Sequence, residues 1–353
     1  MTLNKTFLLG AFLAFFGLLA LTEIFLRLTV PTGLWYRHFD FSGDMTSLGE
    51  LRDRLTVAAP KEHRVLLLGD SVLGASALME HRLPQARNQT LSRFLTAKLQ
   101  AKGFSALSLG SDGLLPPDLE GLTAETASSP PERVLLLLNV RMFASDFVRG
   151  PKALSRKFLK EDLSAETREA LGTDPKETEE SLLSDQLYTS LCGHWFLFRE
   201  SQMAKTLWYY PSQKDFFQRF LERVVGRNET QSEIAEAALK QKIASYYQAG
   251  LWDPKSPPWK SLRKSLDQWA SLKIPVTVVL TPQNAKYLGR YFDQPSFEKN
   301  RKTLAAFLKP YSKSGMVYLD WSSRYPSPMF LDHCHLTPEG NKWYADDLTG
   351  VLK

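Results

Sequence analysis

Arg64-Val65-Leu66-Leu67-Leu68-Gly69-Asp70-Ser71 is the stretch on which the reading of this 353-residue chain turns. Its apolar run is too short for a helix, carries no polar position, and ends in glycine, as a strand buried on both faces does. The same signature returns at residues 104–109, 133–138, 274–280 and 316–319, mostly followed by Gly, Pro, Asn or Asp. Residues 91–102, 262–272, 297–308 and 338–352 space their apolar positions as helices do, and Pro338 suits a first helical turn. Alternating strands and helices predict a parallel, doubly wound α/β sheet of about five strands.

Outward from this core the pattern changes twice. Between residues 150 and 258 the alternation stops, leaving charged helical stretches and a segment rich in Trp, Tyr and Phe from Trp195 to Phe220; this predicts a helical insertion within the α/β domain. Residues 31–60 show no periodicity and read as a linker. Ahead of them, Lys5 precedes an apolar run from Phe7 to Thr22, which residues 24–28 extend with Glu23 and Arg27 inside it. A positive residue before such a run is the pattern of a signal sequence or signal anchor, here residues 1–30. Ala20-Leu21-Thr22 is a poor cleavage site and no cysteine follows, so an uncleaved single-pass anchor is expected, with Glu23 and Arg27 snorkelling to the interface.

Composition narrows the function class. Hydrophobic residues at 43% and charged residues at 23% describe a folding chain. The net charge of +6 comes from Lys and Arg interleaved with acids along the whole sequence, which offers no nucleic-acid patch. The two cysteines, Cys192 and Cys334, leave two readings open in an exported protein, a disulfide or two buried thiols.

Two short segments carry chemistry. Gly69-Asp70-Ser71 closes the first strand, so Ser71 projects at the carboxyl edge of the sheet, where open α/β sheets place their sites. The helix expected to follow would set its N-terminus beside Ser71 and favour developing negative charge. A serine hydroxyl becomes a nucleophile when a histidine takes its proton and a carboxylate fixes that histidine's tautomer. Asp332-His333-Cys334-His335-Leu336, just before the last helix, supplies both, since three residues of separation in a turn let Asp332 reach His335.

Gly69-Asp70-Ser71 and Asp332-x-x-His335-Leu336, in this order at opposite ends of an alternating pattern, resemble the first and last blocks of the SGNH/GDSL hydrolase superfamily. The resemblance runs from about Arg64 to the C-terminus without the insertion, and implies an SGNH hydrolase-like domain over residues 61–353. It implies a flavodoxin-like three-layer sandwich and a cofactor-free acyl-enzyme chemistry with Ser71 as nucleophile and His335 and Asp332 as its partners. Ser108-Leu109-Gly110-Ser111-Asp112-Gly113 is similar to the second block with serine in place of asparagine, so Gly113 N–H would join Ser71 N–H in an oxyanion hole. The third block departs from the pattern. Leu138-Asn139-Val140-Arg141 stands where Gly-x-Asn-Asp is expected, leaving Asn139 as a displaced third donor and Arg141 as its replacement or as a site for an anionic acceptor.

That departure, the anchor and the Thr281-Pro282-Gln283-Asn284 turn resemble envelope-associated branches, including alginate O-acetyltransferase and D-alanyl-lipoteichoic-acid assembly proteins. The resemblance implies an extracytoplasmic domain on the cytoplasmic membrane, a membrane-bound O-acyltransferase as partner, and an ester-bearing envelope polysaccharide as substrate. Asp70, Arg141 and Asn284 would then line the substrate site. Two other readings stand beside this one. An inactive scaffold of the same fold has no use for Ser71, Asp332 and His335 together. A zinc site at Asp332, His333, Cys334 and His335 would leave Ser71 unexplained, and neighbouring residues rarely all point at one ion.

Overall fold

The computed structural model describes residues 5–32, 63–143 except 82, 84, 85, 111, 112, 128 and 129, then 187, 190, 191, 194–200, 252–289 and 294–352. The linker at 31–60 and the insertion at 150–258 lie almost wholly outside these residues.

The described residues fall into two compact units, one holding the N-terminal helix with residues around 187–200, the other holding the sheet. In the first, α1 (Lys5–Thr29) belongs to a stretch long and apolar enough to cross a membrane. Its flanks leave Leu13, Leu21 and Leu28 more than three-fifths exposed. Glu23 and Arg27 both have partners within the protein. The Glu23 carboxylate accepts from the backbone N–H groups of Phe196 and Leu197 at 3.1 and 2.7 Å, and Arg27 bonds Glu23 and the His194 carbonyl, both at 2.6 Å. Protein groups thus satisfy both charges, which lowers the cost of placing them on an apolar helix.

In the second unit, β1 (Arg64–Gly69), β2 (Ser105–Gly110), β3 (Arg133–Leu138), β4 (Val276–Leu280) and β5 (Val317–Asp320) form one parallel sheet in the order β2-β1-β3-β4-β5. β1, β3 and β4 are buried almost throughout, since helices cover both faces. On one face Val65, Leu67, Leu135, Leu137 and Val279 meet Leu91, Leu95 and Leu99 of α2 (Leu91–Ala101) and Tyr344, Ala345 and Leu348 of α6 (Pro338–Val351). The alternate residues Leu66, Leu68, Val134, Leu136 and Val278 are equally buried on the other face. α3 (Pro116–Thr126) and α4 (Pro257–Ser271) pack together there, while α5 (Gln294–Leu308) lies beside β5.

The strand order reverses between β1 and β3, so the carboxyl ends of those strands diverge to opposite sides and open a crevice. Ser71 follows β1 and Asn139 and Arg141 follow β3, which brings both segments to that switch point.

Candidate active site

Ser71 leaves β1 on a turn rather than at a helix N-terminus. Leu73 N–H bonds the Asp70 carbonyl and Gly74 N–H the Ser71 carbonyl, and helix begins only at Ser76. The expected dipole at Ser71 is therefore absent. Glycine lets the turn fold back: a Cβ on Gly69 would lie 2.9 Å from Leu73 Cδ1, and one on Gly110, its partner across the ladder, 3.2 Å from Leu73 Cβ. Leu73 is fully buried in the space these two glycines leave.

The opposing loop is tied by its own polar groups. Phe330 bridges Leu336, Leu331 N–H bonds the His335 carbonyl at 2.8 Å, and Thr337 N–H bonds the Met329 carbonyl at 2.8 Å. Within the loop Asp332 Oδ1 accepts from Cys334 N–H at 2.9 Å and His335 N–H at 2.8 Å, a local turn that Asp forms readily. Thr337 caps α6 by accepting from Gly340 N–H.

These segments meet. Ser71 Oγ lies 2.7 Å from His335 Nε2, and His335 Nδ1 lies 2.7 Å from Asp332 Oδ2. A carboxylate only accepts, so Nδ1 carries a proton, and in the neutral ring Nε2 is left to accept from the serine hydroxyl. Burial opposes ionisation of Asp332, but the His335 bond and the nearby His333 and Cys334 N–H hold its carboxyl well below the usual range. Burial likewise opposes the His335 imidazolium, and the Cys334 and Asp332 partners outweigh it, setting His335 well above its ordinary 6.5. This geometry can move a proton from the hydroxyl to the imidazole and return it to a leaving group.

Arg141, in the 3-10 turn after β3, completes the cluster. Its side chain is 8% exposed and that of Asp70 is fully buried. Nε and one terminal nitrogen bond Asp70 Oδ2 at 3.0 and 2.6 Å, and the same terminal nitrogen donates to Ser71 Oγ at 2.7 Å. The other terminal nitrogen lies 3.4 Å from His333 Nε2. Asp70 thus faces Arg141 and Val72 N–H in the interior, instead of a substrate.

Asn284 also turns inward. Its Nδ2 donates to the Asp332 carbonyl at 2.9 Å, its N–H to the His333 carbonyl at 3.0 Å, and its Oδ1 accepts from Tyr287 N–H. It buckles the loop after β4 to the Asp332 loop, a role that spacing in the sequence did not signal. His333, which the sequence offers only as a metal ligand, is buried, touching Arg141 and facing the Tyr287 and His335 rings. Asn139 follows β3 fully buried, its Oδ1 accepting from Arg141 N–H, while its Nδ2 has no hydrogen-bond partner among the described residues. Gly113 takes a positive φ of 76° on the turn after β2.

Cys334 is a buried free thiol, and Cys192, the other half of the disulfide reading, lies outside the described residues. Its Sγ sits 3.7 Å from His335 Nδ1. Burial raises this thiol, but His333, His335 and Arg141 outweigh that and lower it to about 5. Asp332, His333 and Cys334 do bring ligand atoms within 4.8 Å of one another. A metal there would draw on the carboxylate that holds His335.

No family model matches the chain, and no curated protein matches it. Among solved structures, that of a putative arylesterase from Agrobacterium tumefaciens str. C58 is similar over 82% of this chain and 97% of the other, with 12% identity and a TM-score of 0.35. The chemistry of the site rests on its side chains.

Proposed function

We propose that this chain is a serine esterase or O-acyltransferase of the SGNH/GDSL kind, anchored by α1 in the cytoplasmic membrane with its α/β domain outside. The observation that carries this reading is the unbroken relay from Ser71 Oγ through His335 to Asp332, with 2.7 Å at each step. Ser71 attacks an ester carbonyl while His335 Nε2 takes its proton; the protonated imidazole then delivers that proton to the departing alcohol. The acyl-enzyme passes its acyl group to water or to an acceptor hydroxyl, and an envelope polysaccharide served by a membrane-bound O-acyltransferase is the acceptor or substrate class the family resemblance suggests.

Ser71 N–H, Gly113 N–H and the Asn139 amide hold the oxyanion. Asn139 stands directly after β3, the neighbour of β1 at the switch point, which supports its place among the donors. Residues 61–353 form the enzymatic domain, residues 31–60 link it to the anchor at 1–30, and residues 150–258 are an insertion within it.

The test is covalent labelling of the full chain in detergent with a fluorophosphonate. Ser71 is expected to carry the label, found by mass spectrometry of the peptide, and Ser71→Ala to lose it. Equal labelling of Ser71→Ala would end the nucleophile assignment, and an unlabelled native protein would favour a scaffold.

A further inference from the structure

The proposed reading accounts for three side chains at the relay and leaves a fourth unused. Arg141 is a cation in the interior, and its terminal nitrogen touches the same oxygen that His335 would deprotonate. We propose, resting on the Ser71 assignment, that Arg141 is a catalytic residue that stabilises negative charge on Ser71 Oγ itself, both when the oxygen attacks and when it departs.

The coordination of that oxygen favours this role over anion binding. With His335 neutral, Ser71 Oγ donates its proton to Nε2 at 2.7 Å and accepts from Arg141 at 2.7 Å, which leaves one lone pair for a carbonyl carbon. The two contacts fix the hydroxyl rotor. Arg141 stays protonated throughout, since a guanidinium does not lose its proton in proteins. As the Oγ–C bond forms, the Oγ–H proton passes to Nε2 and the carbonyl π pair moves to the carbonyl oxygen. When the acyl-enzyme breaks down, the attacking water or acceptor hydroxyl gives its proton to His335 as its oxygen bonds the acyl carbon, the Oγ–C bonding pair returns to Oγ beside the guanidinium, and His335 passes that proton to Oγ.

Asp70 explains why the guanidinium acts here and not on a substrate. Two of the Arg141 nitrogens bond Asp70 Oδ2, so the pair carries no net charge, and the 8% exposure of the Arg141 side chain leaves little of it for an outside anion. What survives pairing is the local dipole, with its positive end on Ser71 Oγ. Buried in this way it is screened far less than at the surface.

A thiol at position 71 reads that dipole directly. In Ser71→Cys, the pH dependence of iodoacetamide alkylation, followed on the peptide containing residue 71, is expected to place the thiol below the ordinary value of about 8.5. Adding Arg141→Gln is expected to move that midpoint up by about one pH unit or more. With serine at position 71, Arg141→Gln is expected to slow fluorophosphonate labelling on the order of 100-fold, with Arg141→Lys between it and the native protein.

Arg141→Gln leaves Asp70 buried without its partner, so Asp70→Asn/Arg141→Gln is measured in parallel, with thermal unfolding to show that it folds. An unchanged alkylation midpoint, or an unchanged labelling rate, in either variant that folds would overturn the proposal and reduce Arg141 to a tie for Asp70. If native Ser71 takes no label at all, the esterase reading fails by itself, while the alkylation midpoint still reports on Arg141.

Discussion

Ser71 reaches the site on a turn shaped by packing, folded over Leu73 in the gap that Gly69 and Gly110 leave, whereas Asp332 and His335 arrive on a loop shaped by hydrogen bonds to Asn284, Met329 and their own backbone. Packing tolerates small changes where a flexible side chain can yield. A hydrogen-bonded loop has fixed partners and fails when one is moved. The nucleophile should therefore withstand nearby substitutions better than its base does.

The largest expected effects ignore that contrast, because they remove the reacting groups. Ser71→Ala and His335→Ala should each lower kcat on an activated ester such as p-nitrophenyl acetate by about 10^6-fold, leaving only what binding and oxyanion donors supply. A residual rate within tenfold of the native one in either variant would mean that the relay does not perform the reaction. Asp332→Asn should cost about 10^4-fold, since an amide neither fixes the Nδ1–H tautomer nor balances the imidazolium.

Asp332→Asn also moves the pH profile. His335 accepts a proton only when neutral, and its raised folded value places the acid limb of kcat/KM above 6.5. Taking away the carboxylate removes a partner that favours the imidazolium, so the limb shifts to lower pH. A limb unmoved in Asp332→Asn would show that another group sets the His335 charge.

Two glycines sharpen the contrast between the halves. A Cβ on Gly340 would lie 2.7 Å from the Met329 carbonyl oxygen, which already accepts from Thr337 N–H and cannot retreat without opening the loop that carries His335. Gly340→Ala should destabilise by about 1–3 kcal/mol and reduce activity as well. Gly69→Ala meets Leu73 Cδ1 at 2.9 Å, Leu73 Cγ at 3.1 Å and Leu137 Cβ at 3.2 Å, all side-chain atoms and none as close as the Met329 oxygen, so its cost should be smaller. Thermal unfolding of the pair checks this, and Gly69→Ala proving the more damaging would reverse the assignment of the two halves.

The same contrast explains what the sequence disclosed. The strands were legible because each is a short apolar run closed by a turn residue, and the five segments read from the sequence fall on β1 to β5 with ends shifted by two residues or fewer. α3 escaped the reading: Pro116-Pro117 opens it and its apolar spacing is weak. Ser71, Asp332 and His335 were visible because their types and order match a chemistry. The inward roles of Asn284 and Asp70 were not, since each depends on a carbonyl or guanidinium brought from a distant segment. Arg141 stood out as a departure from a pattern, but its contact with Ser71 Oγ depends on how the turn after β3 faces the turn after β1.

Asn284 supplies the smallest and most discriminating test. Asn284→Ala removes one donor to the Asp332 carbonyl and one acceptor for Tyr287 N–H, a loss of about 1–2 kcal/mol in stability. If the buckle also sets where Asp332 stands, the rate should fall about tenfold, since displacements well under 1 Å suffice for that. Asn284→Asp separates the two contributions. Its carboxylate still accepts from Tyr287 N–H but cannot donate to the Asp332 carbonyl, so it should retain more of the stability and as little of the rate. Should both variants lose stability and keep kcat, the turn within residues 332–335 would be sufficient to position the base, and the reach of hydrogen bonding in that half of the site would end there.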